Sequence, residues 1–168
     1  GIFWICTKFQ GLFKIDINNN NLRNFRHHPK NSNSIASDRV HTVLRDSVGN
    51  LWIGTANGLD LYDEDQDRFM HISDLFVGCL SEDAKGNLWI GNSGLFLFNR
   101  ENRRVVRYRK VDHELFLNDA FEVMYMHNDR SGNIWFSTRH NGLYRFDPFK
   151  EEVRHFALDS SGLRDNAI

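Results

Sequence analysis

The feature that most constrains this chain is a motif that returns four times along its 168 residues. The fullest copy, residues 46–63, reads Asp-Ser-Val-Gly-Asn-Leu-Trp-Ile-Gly-Thr, then Ala-Asn, then Gly-Leu-Asp-Leu-Tyr-Asp. All four tryptophans occupy one position of the motif and lie 48, 37 and 46 residues apart, at Trp4, Trp52, Trp89 and Trp135. A repeat of about 40–45 residues is the length of one β-propeller blade.

Each copy predicts four short strands. The inner strand is Val40–Arg45 in the second copy, with counterparts at 77–82 and 123–128, and its apolar residues suit a strand covered on both faces. A turn follows that begins with an aspartate, and the next strand carries the tryptophan, whose ring we expect between neighbouring blades. The third strand begins at a Gly-Leu pair, at Gly11, Gly58, Gly94 and Gly142. A charged outer strand completes the unit and limits edge-to-edge pairing.

This pattern predicts an all-β fold, a partial β-propeller of about four blades of four antiparallel strands, with the first blade incomplete. The predicted units are 1–35, 36–73, 74–116 and 117–160, with 161–168 as the start of a further blade. A propeller closes with about four to eight blades, so we expect a fragment of a larger ring, or a ring completed by another chain. Residue 1 falls inside a repeat, and we expect the natural N-terminus to precede it.

Composition excludes several classes of partner and fold. The chain is 40% hydrophobic and 26% charged, with a net charge of -1, which does not favour binding to nucleic acid or to an anionic membrane. No apolar run approaches the roughly 20 residues of a membrane span. Cys6 stands where two other copies have glycine, Gly54 and Gly91, and Cys79 lies in an apolar run, so two buried thiols are favoured over a disulfide.

The copy from Asp46 to Asp63 resembles the two-component regulator propeller repeat, and the resemblance extends over the whole chain, with departures at Asn92 and at Phe136-Ser137. Such repeats resemble those of periplasmic sensor regions in bacterial hybrid histidine kinases, where tandem propellers sense glycan fragments for polysaccharide use. A downstream sandwich domain, an inner-membrane helix and a kinase then carry the signal. The resemblance implies a periplasmic, non-catalytic sensing module. A structural or protein-interaction propeller without a small-molecule site is the alternative.

Segments that vary between copies are the candidate ligand-binding loops. In propellers, the connectors between blades and the loops between second and third strands share one face, at the channel mouth. Guanidinium, imidazole and amide groups there could bind a sugar or a uronate by hydrogen bonds, stacking and charge pairing. The candidates are Arg26, His27, His28, Asn57, His113, Arg139, His140 and Asn141. Expected partners are an oligosaccharide, the remaining blades and downstream sensor domains of the same protein, and a second copy in a homodimer.

Metal, cofactor and catalytic motifs are weak by comparison. Asp63-x-Asp65-x-Asp67 begins like a calcium loop, but the glycine and glutamate that an EF-hand needs are replaced by Arg68 and Asp74. We therefore expect no metal and no cofactor. No nucleophile elbow or phosphate-binding loop occurs. An enzyme would need an acid–base pair at the channel mouth, and the non-repeating residues identify none. Aspartates that recur at every hairpin predict a turn role: Asp46, Asp83 and Asp129.

Overall fold

The computed structural model describes residues 1–109 and 122–157, which form fifteen strands in four antiparallel sheets. Each sheet is a meander, with its strands hydrogen-bonded in chain order. The chain divides into two compact units, Gly1–Val77 and Gly78–Ile168, and each holds two sheets. Within the described residues there is no helix long and apolar enough to span a membrane.

The first unit contains a three-stranded and a four-stranded sheet, as expected for an incomplete first blade. The first sheet consists of β1 (Ile2–Cys6), β2 (Leu12–Asp16) and β3 (Asn21–Phe25). The second sheet consists of β4 (Val40–Arg45), β5 (Leu51–Thr55), β6 (Gly58–Asp63) and β7 (Arg68–Ser73).

The second unit contains two four-stranded sheets. One consists of β8 (Cys79–Glu82), β9 (Leu88–Asn92), β10 (Gly94–Asn99) and β11 (Arg104–Arg107). The other consists of β12 (Val123–Asn128), β13 (Ile134–Thr138), β14 (Leu143–Asp147) and β15 (Glu152–Phe156). Strand β8 begins at Cys79 rather than at Val77, because the Val77 N–H donates to the Thr55 carbonyl at the end of β5, at 3.0 Å.

Aromatic rings join the two sheets inside each unit. Trp4 lies 5.9 Å from Phe25 of its own sheet and 5.3 Å from Tyr62 of the next, between ring centroids. In the second unit Trp89 lies 5.5 Å from Phe146 of the neighbouring sheet. The expected wedge between adjoining sheets is therefore confirmed for these two tryptophans. Trp89 is only 2% exposed, so its large apolar area is removed from water.

The recurring aspartates hold the hairpin turns, as expected, and also bind the tryptophans. Oδ1 of Asp46 accepts the Asn50 backbone N–H at 2.8 Å, while Oδ2 accepts the Trp52 indole N–H at 2.9 Å. The same indole bond measures 2.8 Å from Trp89 to Asp83 and from Trp135 to Asp129. Trp4, whose copy has no such turn in the sequence, leaves its buried indole N–H without a partner among the described residues.

The two cysteines are free thiols, Cys6 half-buried and Cys79 buried. Burial raises the pKa of Cys6 to about 11 and that of Cys79 to about 12, which keeps both protonated at neutral pH. The glycine that replaces cysteine in the second copy, Gly54, packs against side chains. An added Cβ there would lie 2.4 Å from Val77 Cγ1 and 2.5 Å from Thr42 Cγ2.

Candidate functional site

The connector between the first two sheets, residues 26–38, is held by its own hydrogen bonds. The Ser34 hydroxyl accepts the His28 backbone N–H at 2.9 Å and donates to the Asn31 carbonyl at 2.8 Å. Ile35 is fully buried and anchors the segment in the core of the first unit. The sequence therefore builds a loop whose polar side chains are presented from a fixed backbone.

This connector forms one wall of an open cleft of about 510 Å³ in the first unit. The β5–β6 loop and the end of β7 complete it. Nine of its twelve lining residues have polar side chains, and the lining comprises His27, His28, Pro29, Lys30, Asn31, Ser32, Ser34, Ile35, Ala36, Asn57, His71 and Asp74. A concave site of this size with several hydrogen-bonding groups suits a small polar ligand.

An aspartate–histidine–aspartate chain runs from the core to the rim of the cleft. Asp60 is fully buried, and its Oδ1 lies 2.8 Å from Nδ1 of His71. Its Oδ2 accepts the Ala36 backbone N–H at 2.7 Å and so joins the connector to β6. At the outer end, Nε2 of His71 lies 2.8 Å from Oδ1 of Asp74, whose side chain is 99% exposed.

Burial and hydrogen bonding both act on this chain of groups. Burial raises the pKa of Asp60, while the Ala36 amide and His71 oppose that rise. Burial alone would lower the pKa of His71, but the bonds to Asp60 and Asp74 outweigh it, and the pKa lies above the usual value of 6.5. The imidazole is thus stabilised in its charged form between two carboxylates.

Comparison of the copies explains why Asp60 is unusual. The corresponding third-strand position is aromatic in the other three copies, at Phe13, Phe96 and Tyr144. Each faces a polar residue of the outer strand, and Tyr144 stacks on His155 with ring centroids 4.2 Å apart. In the second copy the aromatic residue is replaced by Asp60, which lies opposite His71. Sequence reasoning missed both residues, and this departure from the aromatic pattern is the signal that could have found them.

The structure brings together three of the candidate residues, His27, His28 and Asn57, on the cleft wall. Arg26 lies beside them but pairs with Asp38 at 2.6 Å, where it braces the base of the connector. The ligand-binding roles of these four residues remain predictions.

The other candidates lie in the second unit or outside the described residues. Arg139 is exposed and donates to Glu122 at 2.9 Å, and His140 is exposed next to it. The Asn141 carbonyl lies against Nε2 of His155. His113 falls in the range 110–121, outside the described residues. Ligand binding by these residues likewise remains a prediction.

The turn at residues 63–67, which begins like a calcium loop, makes hydrogen bonds to protein side chains through Asp67. Asp67 receives two hydrogen bonds from Arg23, at 3.0 and 2.6 Å, and one from the Tyr62 hydroxyl at 2.6 Å. These contacts tie the first sheet to the second within the unit. In the described part of the chain, no group of three or more histidine, cysteine, aspartate or glutamate residues could hold a metal ion.

Comparison with known proteins agrees with this architecture. The family model described as two component regulator propeller matches residues 34–57 and 71–94. No curated protein sequence matches the chain.

Solved structures show the same fold at low identity. The extracellular domain of the hybrid two component system BT4673 from B. thetaiotaomicron has a TM-score of 0.80 at 22% identity, over 99% of this chain and 22% of that one. The extracellular domain of BT3049 from the same organism has a TM-score of 0.75 at 22% identity, over 91% and 21%. A streptogramin B lyase matches at 0.66 and 12%, over 94% and 51%.

The chain spans about a fifth of the length of the two extracellular domains. Their likeness bears out the fold class, a partial β-propeller. The matched segments contain parts of the second and third copies of the motif, including Gly54 and Trp89. Residues 34–57 and 71–94 are therefore similar to the two-component regulator propeller repeat.

Proposed function

We propose that this chain is a non-catalytic, ligand-sensing part of a membrane-bound hybrid two-component sensor, which detects oligosaccharides in the periplasm and regulates carbohydrate use. The repeat family and the likeness to extracellular domains of hybrid two-component systems support a sensing role. The observation that carries the ligand assignment is the cleft of about 510 Å³, whose walls present imidazole, amide and hydroxyl groups from a hydrogen-bonded loop. Sugars are recognised by such convergent donors and acceptors.

Signalling would follow from unequal affinity. A saccharide that binds more tightly to one arrangement of paired sensor chains shifts the population toward that arrangement. The ligand must therefore contact a segment that differs between the two arrangements, and loops at a cleft rim are suited to this.

The test is calorimetric titration of the full chain with a panel of oligosaccharides. We expect one of them to bind, and we expect a His28→Ala, Asn57→Ala double variant to weaken that binding at least tenfold. An Arg139→Ala, His140→Ala variant tests the alternative candidates in the second unit, and we expect it to leave binding unchanged. Loss of binding in that variant alone would move the site to the loops of that unit. Turnover of any saccharide would overturn the non-catalytic assignment.

A scaffolding role is the second candidate, and one surface favours it. The first strand exposes three large apolar side chains, Ile2, Phe3 and Ile5, at 50%, 56% and 46%. Large exposed apolar side chains on an edge strand favour packing against other protein. If no oligosaccharide binds the chain, packing against further blades of the same protein is the function that remains.

A further inference from the structure

The two nitrogens of His71 have partners of very different character. Nδ1 faces the carboxylate of Asp60, which is fully buried and is held in place by the Ala36 amide. Nε2 faces Asp74, a carboxylate on the last turn before the next sheet, which is almost fully exposed. One partner is therefore part of the core, and the other is free to be exchanged with solvent.

The inner partner sets the direction of the ring. Since Asp60 accepts the proton of Nδ1, Nε2 points outward into the cleft, and in the imidazolium form it carries an N–H there. The core bond also favours the imidazolium, which makes the outward donor a charged one. A merely structural histidine would need no such outward donor, because the core bond alone joins β7 to β6.

The outer partner is weakly held. An ion pair with one fully exposed member gains little from charge attraction, since water screens it and its side chain loses rotamer freedom. At 2.8 Å from Nε2, the Asp74 carboxylate occupies the position that a ligand carboxylate would take. Asp74 is also the single carboxylate among the described residues that line the cleft.

The remaining wall favours an anionic polar ligand. Once Asp74 turns away, the wall presents Lys30 and the two connector imidazoles, His27 and His28, beside the Asn57 amide. The charges of Asp60 and His71 offset each other, so Lys30 leaves the wall net positive. His27 Nδ1 is engaged by the Ile35 carbonyl at 2.9 Å, which fixes the direction of its other nitrogen.

We propose that the cleft binds saccharides that carry a carboxylate, of the uronic acid class, and that this carboxylate replaces Asp74 at Nε2 of His71. The inference rests on the proposed oligosaccharide-sensing function and names the chemical class of its ligand. Asp74 then acts as an internal substitute that covers the charged donor in the absence of ligand.

The experiment compares three small probes on the full chain: sodium glucuronate, glucose and sodium acetate. Calorimetry gives the affinities, and proton–carbon NMR follows the His71 ring. We expect glucuronate to bind about tenfold more tightly than glucose, because it gains one charge-assisted hydrogen bond. We also expect it to shift the His71 signals. That preference should disappear as the pH rises through the pKa of His71, because the neutral ring loses its charge. Lys30, His27 and His28 also face the cleft, so their signals are followed in the same spectra.

Two variants separate ligand binding from a structural role. Asp74→Asn should raise the affinity for glucuronate about threefold and leave glucose unchanged, since it removes the competing carboxylate. His71→Gln should bring glucuronate down to the affinity of glucose. Asp65→Asn, which removes the same charge from an exposed turn of the same unit, should change neither probe. If His71→Gln does not fold, the exposed Asp74→Asn variant still decides the question.

The outcomes distinguish this inference from the function on which it rests. Equal binding of glucose and glucuronate, or an Asp74→Asn variant with unchanged glucuronate affinity, would overturn the inference while an oligosaccharide-sensing role stands. Acetate binding as tightly as glucuronate would overturn the assignment to a sugar acid. Failure of every oligosaccharide to bind would overturn the proposed function itself.

Discussion

At the scale of single residues, one carboxylate at the start of each hairpin serves a backbone turn and a buried ring together. Asp83 is 5% exposed and accepts the Lys85 and Asn87 backbone N–H groups at 2.9 Å each, the Asn87 side chain at 2.8 Å and the Trp89 indole at 2.8 Å. Buried donors that lose their acceptor cost more than a neutral bond contributes. The spacing of six residues between aspartate and tryptophan is thus fixed by this shared acceptor.

The first prediction concerns that acceptor. Asp83→Ala should lower the free energy of unfolding by about 2–4 kcal/mol, because it leaves a buried indole N–H and two backbone amides without a partner. Urea denaturation followed by tryptophan fluorescence measures the change. Asp65→Ala, at an exposed turn, is the control and should stay within about 0.5 kcal/mol of the parent chain. A loss no larger than in this control would mean that water replaces the carboxylate.

The second prediction is a pH dependence at the equivalent turn of the last sheet. Hydrogen bonds from Asn133, Trp135 and the turn amides lower the pKa of Asp129 to about 2, from 3.8. A depressed folded-state pKa stabilises the protein above the unfolded value, and this contribution is lost as the pH falls from about 4 to 2. Asp129→Asn should flatten the acid limb of the stability curve in that window. An unchanged acid limb in urea titrations at several pH values would contradict it.

The cleft contains residues that the sequence identified as candidates and residues that it did not. His27, His28 and Asn57 could be selected because they lie on segments that vary between copies. That criterion passes over Asp60, which lies on a strand and is marked only by its departure from the aromatic residue of the other copies. Asp60 pairs with His71 in the regular β6–β7 ladder, and the register shift lies beyond that pair, between Leu59 and Asp60.

At the scale of elements, the turn between third and fourth strands is the same in all four sheets. Its last residue has a left-handed backbone without being glycine, with φ of 49°, 50°, 56° and 57° at Asn20, Asp67, Arg103 and Glu151. Residues other than glycine, asparagine and aspartate reach this region at a cost of about 1 kcal/mol. The first two copies use favourable residue types, while the last two do not.

The third prediction exploits this conformation. Arg103→Gly should raise the free energy of unfolding by about 0.5–1 kcal/mol, because glycine adopts the left-handed backbone without a steric penalty. Arg104→Gly, one residue further into β11, is the matched control and should lower stability by a similar amount. Thermal denaturation of both variants measures the difference. If Arg103→Gly lowers the stability, the arginine side chain stabilises the fold by more than its left-handed backbone destabilises it.

Strand positions followed from the motif because its residue types recur at fixed distances. The bounds expected for the inner strands, Val40–Arg45 and 123–128, match the structure. The inner strand of the third copy begins two residues later than the expected Val77, because the Val77 N–H bonds to the end of β5.

At the scale of the whole molecule, each compact unit depends on contacts that join its own two sheets. In the first unit these include the Val40 N–H bond to the Thr7 carbonyl, at 2.9 Å, and the pairing of Arg23 with Asp67. The unit also depends on packing within the second sheet, where Thr42 of β4 and Val77, which follows β7, pack over Gly54 of β5. Stability of the unit should therefore respond to small changes in volume at this point.

The fourth prediction tests that packing. Gly54→Ala should destabilise the protein by about 1–3 kcal/mol, since the added methyl group overlaps the side chains of Val77 and Thr42. Val77→Ala creates space beside it, so the double variant should lose less stability than the two single changes together. A double-mutant cycle from urea denaturation gives the coupling. Strict additivity would contradict direct contact between these residues.

The replacement of an aromatic residue by Asp60 has a consequence for how such a protein can acquire a new binding site. Three copies of the template keep a ring at this position, and the architecture survives its loss in one of them. Because the fold does not depend on this ring in every copy, a single sheet can acquire a buried charged group and keep its four-stranded architecture. A new ligand-binding group can then arise on a strand of a blade as well as on its variable loops.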